Sequence, residues 1–287
     1  MARAGRGDDG YFPRGRSVLR RVHGERIVGV LYGQRALLLQ ACHPLAFAGL
    51  NANSRAHDAP FRRLVHTAKI MEVVYFGTRA DADEQTARVR KRHALVKGTL
   101  DEPAGPYARG TAYRADSPEL LLWILATLAD SAETIYERFV RRLSAAERRD
   151  YWDDYLTVGE LFGLARDDAP PTYGAYRAYM DERLRSDDLH VLDEARDLGR
   201  KVAFELPMPR HRQPALLAVN HMVAGLLPAR VRRLYGISWS PAHSLALDAM
   251  ARSMRAMRPL TPHDVRRGSS ARDYDVVARA ERARLAA

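Results

Sequence analysis

The chain has 287 residues, of which 46% are hydrophobic and 28% charged, and its formal net charge is +11. This apolar content is enough to bury the core of a globular protein, and the charged fraction is typical of proteins in water. The single cysteine, Cys42, excludes an intramolecular disulfide and any metal site that needs a pair of cysteines.

The excess of basic residues does not predict nucleic-acid binding. Acidic residues are interleaved with basic ones, as in DERLRSDDLHVLDEARDLGRK at 181–201, and no basic block is combined with stacking aromatic residues. The longest uncharged run, between Arg35 and Arg55, contains several polar residues and predicts a buried helix instead of a membrane span. The N-terminus resembles no secretory signal, so a cytoplasmic location without stable membrane insertion is expected. The oligomeric state is left open.

Apolar residues recur with the 3.6-residue period of a helix along most of the chain, and alternating strand patterns are almost absent. Helices are predicted to begin where a capping Ser or Thr or a first-turn proline precedes such a segment. In chain order these positions are Pro44, Pro60, Thr78, Pro118, Ser144, Thr172, Ser186, Pro214 and Pro241. Ser144 and Glu147 form the pattern of a capping box.

A first helical region is predicted over about 17–40, ahead of these starts. Glycines are predicted to end two of the helices, at Gly77 and Gly98, because glycine adopts the left-handed conformation of a helix C-terminus at little cost. Residues 98–116 are predicted to form a Gly/Pro-rich loop.

One all-α domain is the simplest organisation of these elements. It is predicted to span residues 15–260, after a disordered N-terminus at 1–14. A basic extension follows at 261–287 and is expected to contain a helix at about 271–285.

Several enzyme signatures are missing from the sequence. It has no HExxH motif, no paired Glu-x-x-His, no DDxxD, no GxGxxG, no P-loop and no GxSxG elbow. A lone histidine cannot close a zinc site, but it can be the one protein ligand of a haem iron, because the porphyrin supplies four nitrogens.

His93 lies in the highly basic segment RVRKRHALVKG at 88–98. On a helix its face is shared with Val89 and Arg90 on one side and with Val96 and Lys97 on the other. Such a face offers apolar surface to a flat ring and cations to the two carboxylates of haem. The nearby positive charge also favours the neutral imidazole that iron requires. Residue chemistry alone favours an ordinary surface or core histidine over a haem ligand, because a lone histidine on a helix is more often one of these.

Four segments resemble the rubber oxygenase family, which includes the latex clearing proteins and the fungal oxygenases of the mycophenolic-acid pathway. They are RVRKRHALVKG (88–98), ALLLQACHPLAFAGL (36–50), FRRLVHTAKIMEVVYFGT (61–78) and SPELLLWILATLADSAETIYERFV (117–140). The order and spacing of these segments extend the similarity over about residues 17–260. The resemblance implies an all-α fold with a globin-like core that binds haem b without covalent attachment.

The resemblance also implies roles for particular residues. The proximal iron ligand falls on His93, and the arginine three residues before it on Arg90. The distal pair falls on Arg63 and Thr67, which share one helix face at positions i and i+4. His66 stands where latex clearing proteins have a lysine that approaches the iron, so its role in the distal pocket is open.

Three further residues are candidates to contact the cofactor. Lys97 is a cation available to a haem carboxylate. His43, beside Pro44, is either a pocket residue or a satisfied core histidine, and Trp123 either contacts the porphyrin or packs in the core.

The activity that the resemblance implies is a haem-dependent oxygenation of an apolar small molecule or lipid by dioxygen or peroxide. Arg63, Thr67 and His66 are the expected catalytic residues, which would polarise the bound oxygen by hydrogen bonding. Rubber cleavage itself is not expected, because that substrate is extracellular. A non-catalytic haem sensor or carrier and a haem-free helical binding protein are the alternatives.

Overall fold

The computed structural model describes residues 10–51 and 60–268, together with 279, 282 and 283. It is 71% helical, with 13 helices and one two-stranded sheet among the described residues, which confirms the predicted all-α class. The predicted helix at 271–285 falls largely outside this part of the chain.

The helices and strands follow in chain order. They are α1 Val18–His23, α2 Arg26–Gln40, α3 Pro44–Asn51, α4 Pro60–Phe76, α5 Arg79–Leu95, β1 Lys97–Thr99, β2 Ala112–Arg114, α6 Pro118–Phe139, α7 Ala145–Phe162, α8 Tyr173–Arg185, α9 Asp193–Phe204, α10 Gln213–Leu226, α11 Ala229–Leu234, α12 Pro241–Met257 and α13 His263–Arg266.

Most predicted helix starts are confirmed. The hydroxyls of Thr78 and Thr172 accept hydrogen bonds from backbone amides three residues on, and Ser144 forms a capping box with Glu147. The prediction that Ser186 begins a helix is wrong. Ser186 instead ends one: it follows the last residue of α8, and its amide donates a hydrogen bond to the Glu182 carbonyl.

The prediction for Gly98 is also wrong. The helix before it ends at Leu95, Val96 is extended, and Gly98 lies in β1 opposite Tyr113 in an antiparallel register. A Cβ at position 98 would lie 2.6 Å from the Tyr113 hydroxyl, so the glycine is needed for close packing rather than for a left-handed turn.

The N-terminal segment differs from the expected disorder as far as it is described. Phe12 is buried, its ring packs edge-on against Tyr75, and its carbonyl accepts a 2.9 Å hydrogen bond from Arg20. Residues 10–14 are therefore part of the folded domain, while residues 1–9 lie outside the described part.

The first helical region is divided into α1 and α2 at Gly24 and Glu25. The Glu25 carboxylate is buried and accepts two 2.8 Å hydrogen bonds from Arg258, close to the far end of the domain. This bidentate pair ties the start of α2 to the segment that follows α12.

The core is centred on α2 and α6, which pack against each other along their length. The outer helix α5 packs between α4 and α7. Its last turn thereby comes to lie beside the β1–β2 hairpin and the beginning of α6, where the candidate site is found.

Candidate functional site

His93 lies in the last turn of α5, a helix whose start is fixed by the Thr78 cap. Its side chain is partly buried. Its Nδ1 atom is fully buried and has no hydrogen-bond partner among the described residues. Because a buried ring nitrogen without a partner is costly, His93 is a candidate to bind a ligand.

The surroundings of His93 keep its ring neutral at pH 7. Burial lowers the pKa of His93 below its ordinary value, and the positive charge of Arg63 lowers it further, whereas Asp116 acts in the opposite direction. A neutral imidazole has a free lone pair, which is the form that binds a metal ion.

A cleft of about 260 Å³ lies beside this ring. It is lined by Arg90, His93, Asp116, Leu121, Phe162 and Gly163. One wall is therefore apolar, from α6 and the end of α7, and the opposite wall carries the cation and the imidazole of α5.

The arginine of the cleft is held by the end of α7. Arg90 donates a hydrogen bond from its Nη1 atom to the carbonyl of Leu161. Gly163 ends α7 with a φ of 97°, and a Cβ there would lie 3.1 Å from the Arg90 Cδ atom. A glycine is needed here both for the left-handed turn and for the passage of the arginine stem.

Asp116 is fixed at the edge of the cleft, just before α6. Its carboxylate accepts hydrogen bonds of 3.1 and 3.0 Å from Arg114 at the end of β2. These bonds hold the pKa of Asp116 below its ordinary value, so the carboxylate is ionised at neutral pH. The cleft thus has one negative charge beside Arg90 and the neutral His93.

Of the three predicted catalytic residues on α4, Arg63 is the one whose charge acts on His93. It donates a 2.7 Å hydrogen bond to the carbonyl of Leu50 at the end of α3. His66 is exposed, and partial desolvation and then the charges of Arg92 and Arg62 lower its pKa. Thr67 is exposed as well.

None of these three α4 residues lines the cleft, and the other predicted contacts do not line it either. His43 and Trp123 are buried together in a separate cluster, with ring centroids 6.3 Å apart. The Nε2 atom of His43 lies 3.3 Å from the Tyr107 hydroxyl and 3.8 Å from the Glu119 carboxylate, while its Nδ1 atom is buried and unpartnered. Lys97 is exposed on β1.

Sequence reasoning missed four residues of the cleft, namely Asp116, Leu121, Phe162 and Gly163. A signal existed for two of them. Gly163 follows a long apolar-periodic helix, where a glycine predicts a helix end, and Asp116 precedes the Ser-Pro start of α6. Leu121 and Phe162 are indistinguishable in sequence from core residues.

Fold and site together define a helical protein that presents a neutral, partly buried histidine to a cleft with one apolar and one basic wall. Residues 20–256 match the family described as ER-bound oxygenase mpaB/B'/rubber oxygenase, catalytic domain, and the chain belongs to that family. The resemblance noted in the sequence is thereby confirmed, and membership supports an oxygenase acting on a small molecule with oxygen.

No curated protein and no solved structure matches the chain. Among the described helices, none combines the length and the apolar character that crossing a bilayer requires.

Proposed function

We propose that the protein is a haem b-dependent oxygenase that oxidises an apolar small molecule or lipid, with His93 as the proximal ligand of the iron. The observation that supports it best is the buried, unpartnered ring nitrogen of a neutral His93, in a chain that belongs to an oxygenase family. When bound, haem would supply four of the ligands of its iron and the capacity to activate dioxygen or peroxide.

The residue types around His93 fit such a group. No cluster of three His, Cys, Asp or Glu side chains suited to a metal ion occurs among the described residues, so a metal at His93 needs its other ligands from a cofactor. Leu121 and Phe162 offer apolar surface to a flat ring, and Arg90 offers a cation to its carboxylates.

The size of the cleft sets a condition on this proposal. Its volume of about 260 Å³ lies just below the ~300–1,000 Å³ of cavities that hold organic ligands. The walls of the cleft therefore have to separate when the cofactor binds. That separation would cost free energy and lower the apparent affinity for haem.

The role proposed for α4 is to place polar groups on the oxygen-binding side. Arg63 contributes a positive charge that already reaches the His93 ring, and Thr67 lies one turn further along the same face. His66, with its lowered pKa, is neutral at pH 7 and can exchange a proton with a reacting group. The three α4 residues lie outside the cleft lining, as do Lys97, His43 and Trp123, so each would contact the cofactor only once the walls of the cleft have separated.

The visible absorption spectrum tests haem binding. Protein titrated with hemin is expected to develop a Soret band in the native sequence and in His211→Ala, whose histidine is exposed, but not in His93→Ala. Helical circular dichroism confirms that each variant is folded. A native protein that stays colourless, or a His93→Ala variant with an unchanged spectrum, would contradict the proposal.

Oxygen consumption then distinguishes an enzyme from a haem carrier. With hemin bound and an apolar substrate supplied, Arg63→Gln is expected to retain the Soret band and to lose roughly 10²-fold in turnover, because a preorganised donor is removed. Arg62→Gln removes the same charge from the neighbouring exposed position and serves as the matched control. Equal turnover in the two variants would remove Arg63 from the proposed mechanism.

A further inference from the structure

A second cleft, of about 350 Å³, lies between α6, α10, α11 and α12. Its α6 residues are Thr134 and Arg138, and Leu121 of the His93 cleft lies about 20 Å earlier on that helix at 1.5 Å per residue. The two clefts are therefore separate. The volume of the second falls within the ~300–1,000 Å³ typical of small-molecule sites.

Two arginines face this cleft, and they differ in how their charges are balanced. Arg138 forms an ion pair with Asp248 of α12, and its Nε atom is buried without a hydrogen-bond partner. Arg232 of α11 is partly buried and has no carboxylate partner among the described residues. Its Nη1 atom donates instead to carbonyls at the end of α10, the shortest of these bonds reaching Leu227 at 2.5 Å.

The charge of Arg232 is therefore uncompensated by any anion in this part of the chain. Burial, and then the charge of its neighbour Arg233, lower the pKa of Arg232 and so disfavour its charged form. An anionic group entering the cleft would relieve that cost. Among the residues that line the cleft, Asp248 balances Arg138, which leaves one net positive charge and suits a single negative charge.

The apolar wall of the cleft is the indole of Trp239, whose position is fixed on several sides. Its Nε1 atom donates a 2.9 Å hydrogen bond to Ser244, and the Arg232 guanidinium lies 5.2 Å from the ring centroid. A Cβ at Gly225 would lie 2.6 Å from the indole, so the glycine lets the ring lie directly on α10. Leu247 completes the apolar surface.

We infer that this cleft binds a small amphipathic carboxylate. The carboxylate head would contact Arg232, and the apolar body would lie against Trp239 and Leu247. A phosphate dianion is disfavoured, because the cleft offers one uncompensated cation and an apolar wall in place of further donors. This inference does not rest on the oxygenase proposal.

Octanoate is the probe for this site, with octanol, acetate and inorganic phosphate as comparisons in calorimetric titrations of the native protein. Octanoate is expected to bind, octanol to bind more weakly for lack of charge, and acetate and phosphate to bind more weakly for lack of an apolar body. Trp239 is expected to become protected from acrylamide, while Trp123 and Trp152 are buried with or without ligand.

Arg232→Gln is expected to weaken octanoate binding by roughly 10-fold or more, because a charged hydrogen-bond donor is lost. Arg233→Gln makes the same change at the exposed neighbouring position and is expected to leave binding within about twofold. Because Arg232 also supports the end of α10, circular dichroism is used to verify that Arg232→Gln is folded. The comparison of octanoate with octanol is made on the native protein and therefore does not depend on the folding of any variant.

The inference would be overturned by an absence of saturable octanoate binding, by octanol binding as tight as octanoate, or by equal weakening in the two arginine variants. Arg90→Gln separates the two clefts, since it changes the His93 cleft alone. Loss of octanoate binding in Arg90→Gln would also overturn the assignment of octanoate to the second cleft.

Discussion

His23 is a second histidine whose surroundings hold the ring neutral. It is buried at the end of α1, its Nε2 atom lies 2.8 Å from the Tyr155 hydroxyl, and its ring stacks on Tyr75 at a centroid distance of 4.2 Å. Burial lowers the pKa of His23 to about 3. The ring can therefore act as a hydrogen-bond acceptor in the core, but protonating it there is costly.

Acid is expected to destabilise the fold through His23. The unfolded chain binds a proton at this residue below pH 6.5 and the folded chain only near pH 3, so stability falls as the pH falls between these values. At about 1.36 kcal/mol per pH unit, this residue alone removes about 3 kcal/mol between pH 7 and pH 4. Urea unfolding of the native protein and of His23→Gln across that range measures the effect.

His23→Gln is expected to lower stability most at pH 7, where the contacts of the neutral ring are lost, and to flatten the pH dependence, so that its difference from the native protein narrows as the pH falls toward 4. His211→Gln, at an exposed position, is expected to keep the native slope. Parallel pH profiles for the native protein and His23→Gln would refute the assignment of the acid sensitivity to this residue.

Gly163 links backbone conformation to the candidate site. Gly163→Ala and Gly236→Ala both place a side chain at positive φ, 97° and 62° respectively, so each is expected to cost about 1–2 kcal/mol of stability. A Cβ at 163 also meets the Arg90 stem, while a Cβ at 236 meets nothing within 4 Å. Hemin titration is therefore expected to show weakened binding in Gly163→Ala alone, and equal hemin affinities would argue against Arg90 as a cofactor contact.

The sequence predicts the α5 part of the site better than the rest. Arg90 and His93 are three residues apart on one helix, so a local motif places both on one face, and both line the cleft. Trp123 illustrates the opposite case. A step of two residues turns a helix by about 200°, so with Leu121 in the cleft, Trp123 of the same helix faces the core instead. A resemblance identifies the helix, but the packing decides which of its faces meets the cleft.

At the scale of elements, α2, α6 and α8 are joined by a buried ionic cluster. Asp130 of α6 lies 2.8 Å from Arg35 of α2 and 2.6 Å from Arg177 of α8. Burial opposes ionisation of Asp130, but the two arginines together hold its pKa below the ordinary value. The single carboxylate of Asp130 is thus the counterion of one arginine from each of the two neighbouring helices.

Removing that carboxylate is expected to cost about 3–5 kcal/mol, because Asp130→Ala leaves the buried Arg35 without its counterion. Asp181 provides a matched control on α8. It is 54% exposed and lies 3.9 Å from the same Arg177, so Asp181→Ala is expected to cost less than about 1 kcal/mol. Urea unfolding at pH 7 measures both, and similar losses in the two variants would contradict the role assigned to the buried cluster.

Helix starts were predictable from the sequence, whereas helix ends were less so. A cap such as Ser144 acts through hydrogen bonds to residues within the same turn, so its signal is local. The end of α5 at Leu95 depends on β2, which begins 17 residues further on at Ala112 and pairs with β1 through Gly98 and Tyr113. The segment 88–98 does not include Tyr113, the strand partner of Gly98, so its local pattern predicts a helix end at this glycine instead of a strand.

At the scale of the molecule, the candidate cleft is assembled from parts of the chain that lie far apart in sequence. Its lining comes from α5, from the segment before α6, from α6 itself and from the end of α7. Periodicity and capping signals predict each of these elements separately, but not which ends of them meet. The class of fold was therefore predictable from composition and pattern, while the cleft required the tertiary arrangement.

A ligand that contacts all of these elements is expected to stabilise the whole fold. Hemin at 100 times its dissociation constant would add about 2.7 kcal/mol to the free energy of unfolding, provided that it binds the folded state alone. For a domain of this size that corresponds to an increase of roughly 5–10 °C in Tm. Differential scanning calorimetry with and without hemin measures the increase in the native protein, in His93→Ala and in His211→Ala.

The increase is expected in the native protein and in His211→Ala, and to be absent from His93→Ala, because the affinity depends on the bond from the buried imidazole. Non-specific adsorption of hemin to a chain of net charge +11 is a competing cause of stabilisation, and it would raise Tm equally in all three proteins. An equal rise would show that hemin binds the basic surface, and the role of His93 would then have to be abandoned.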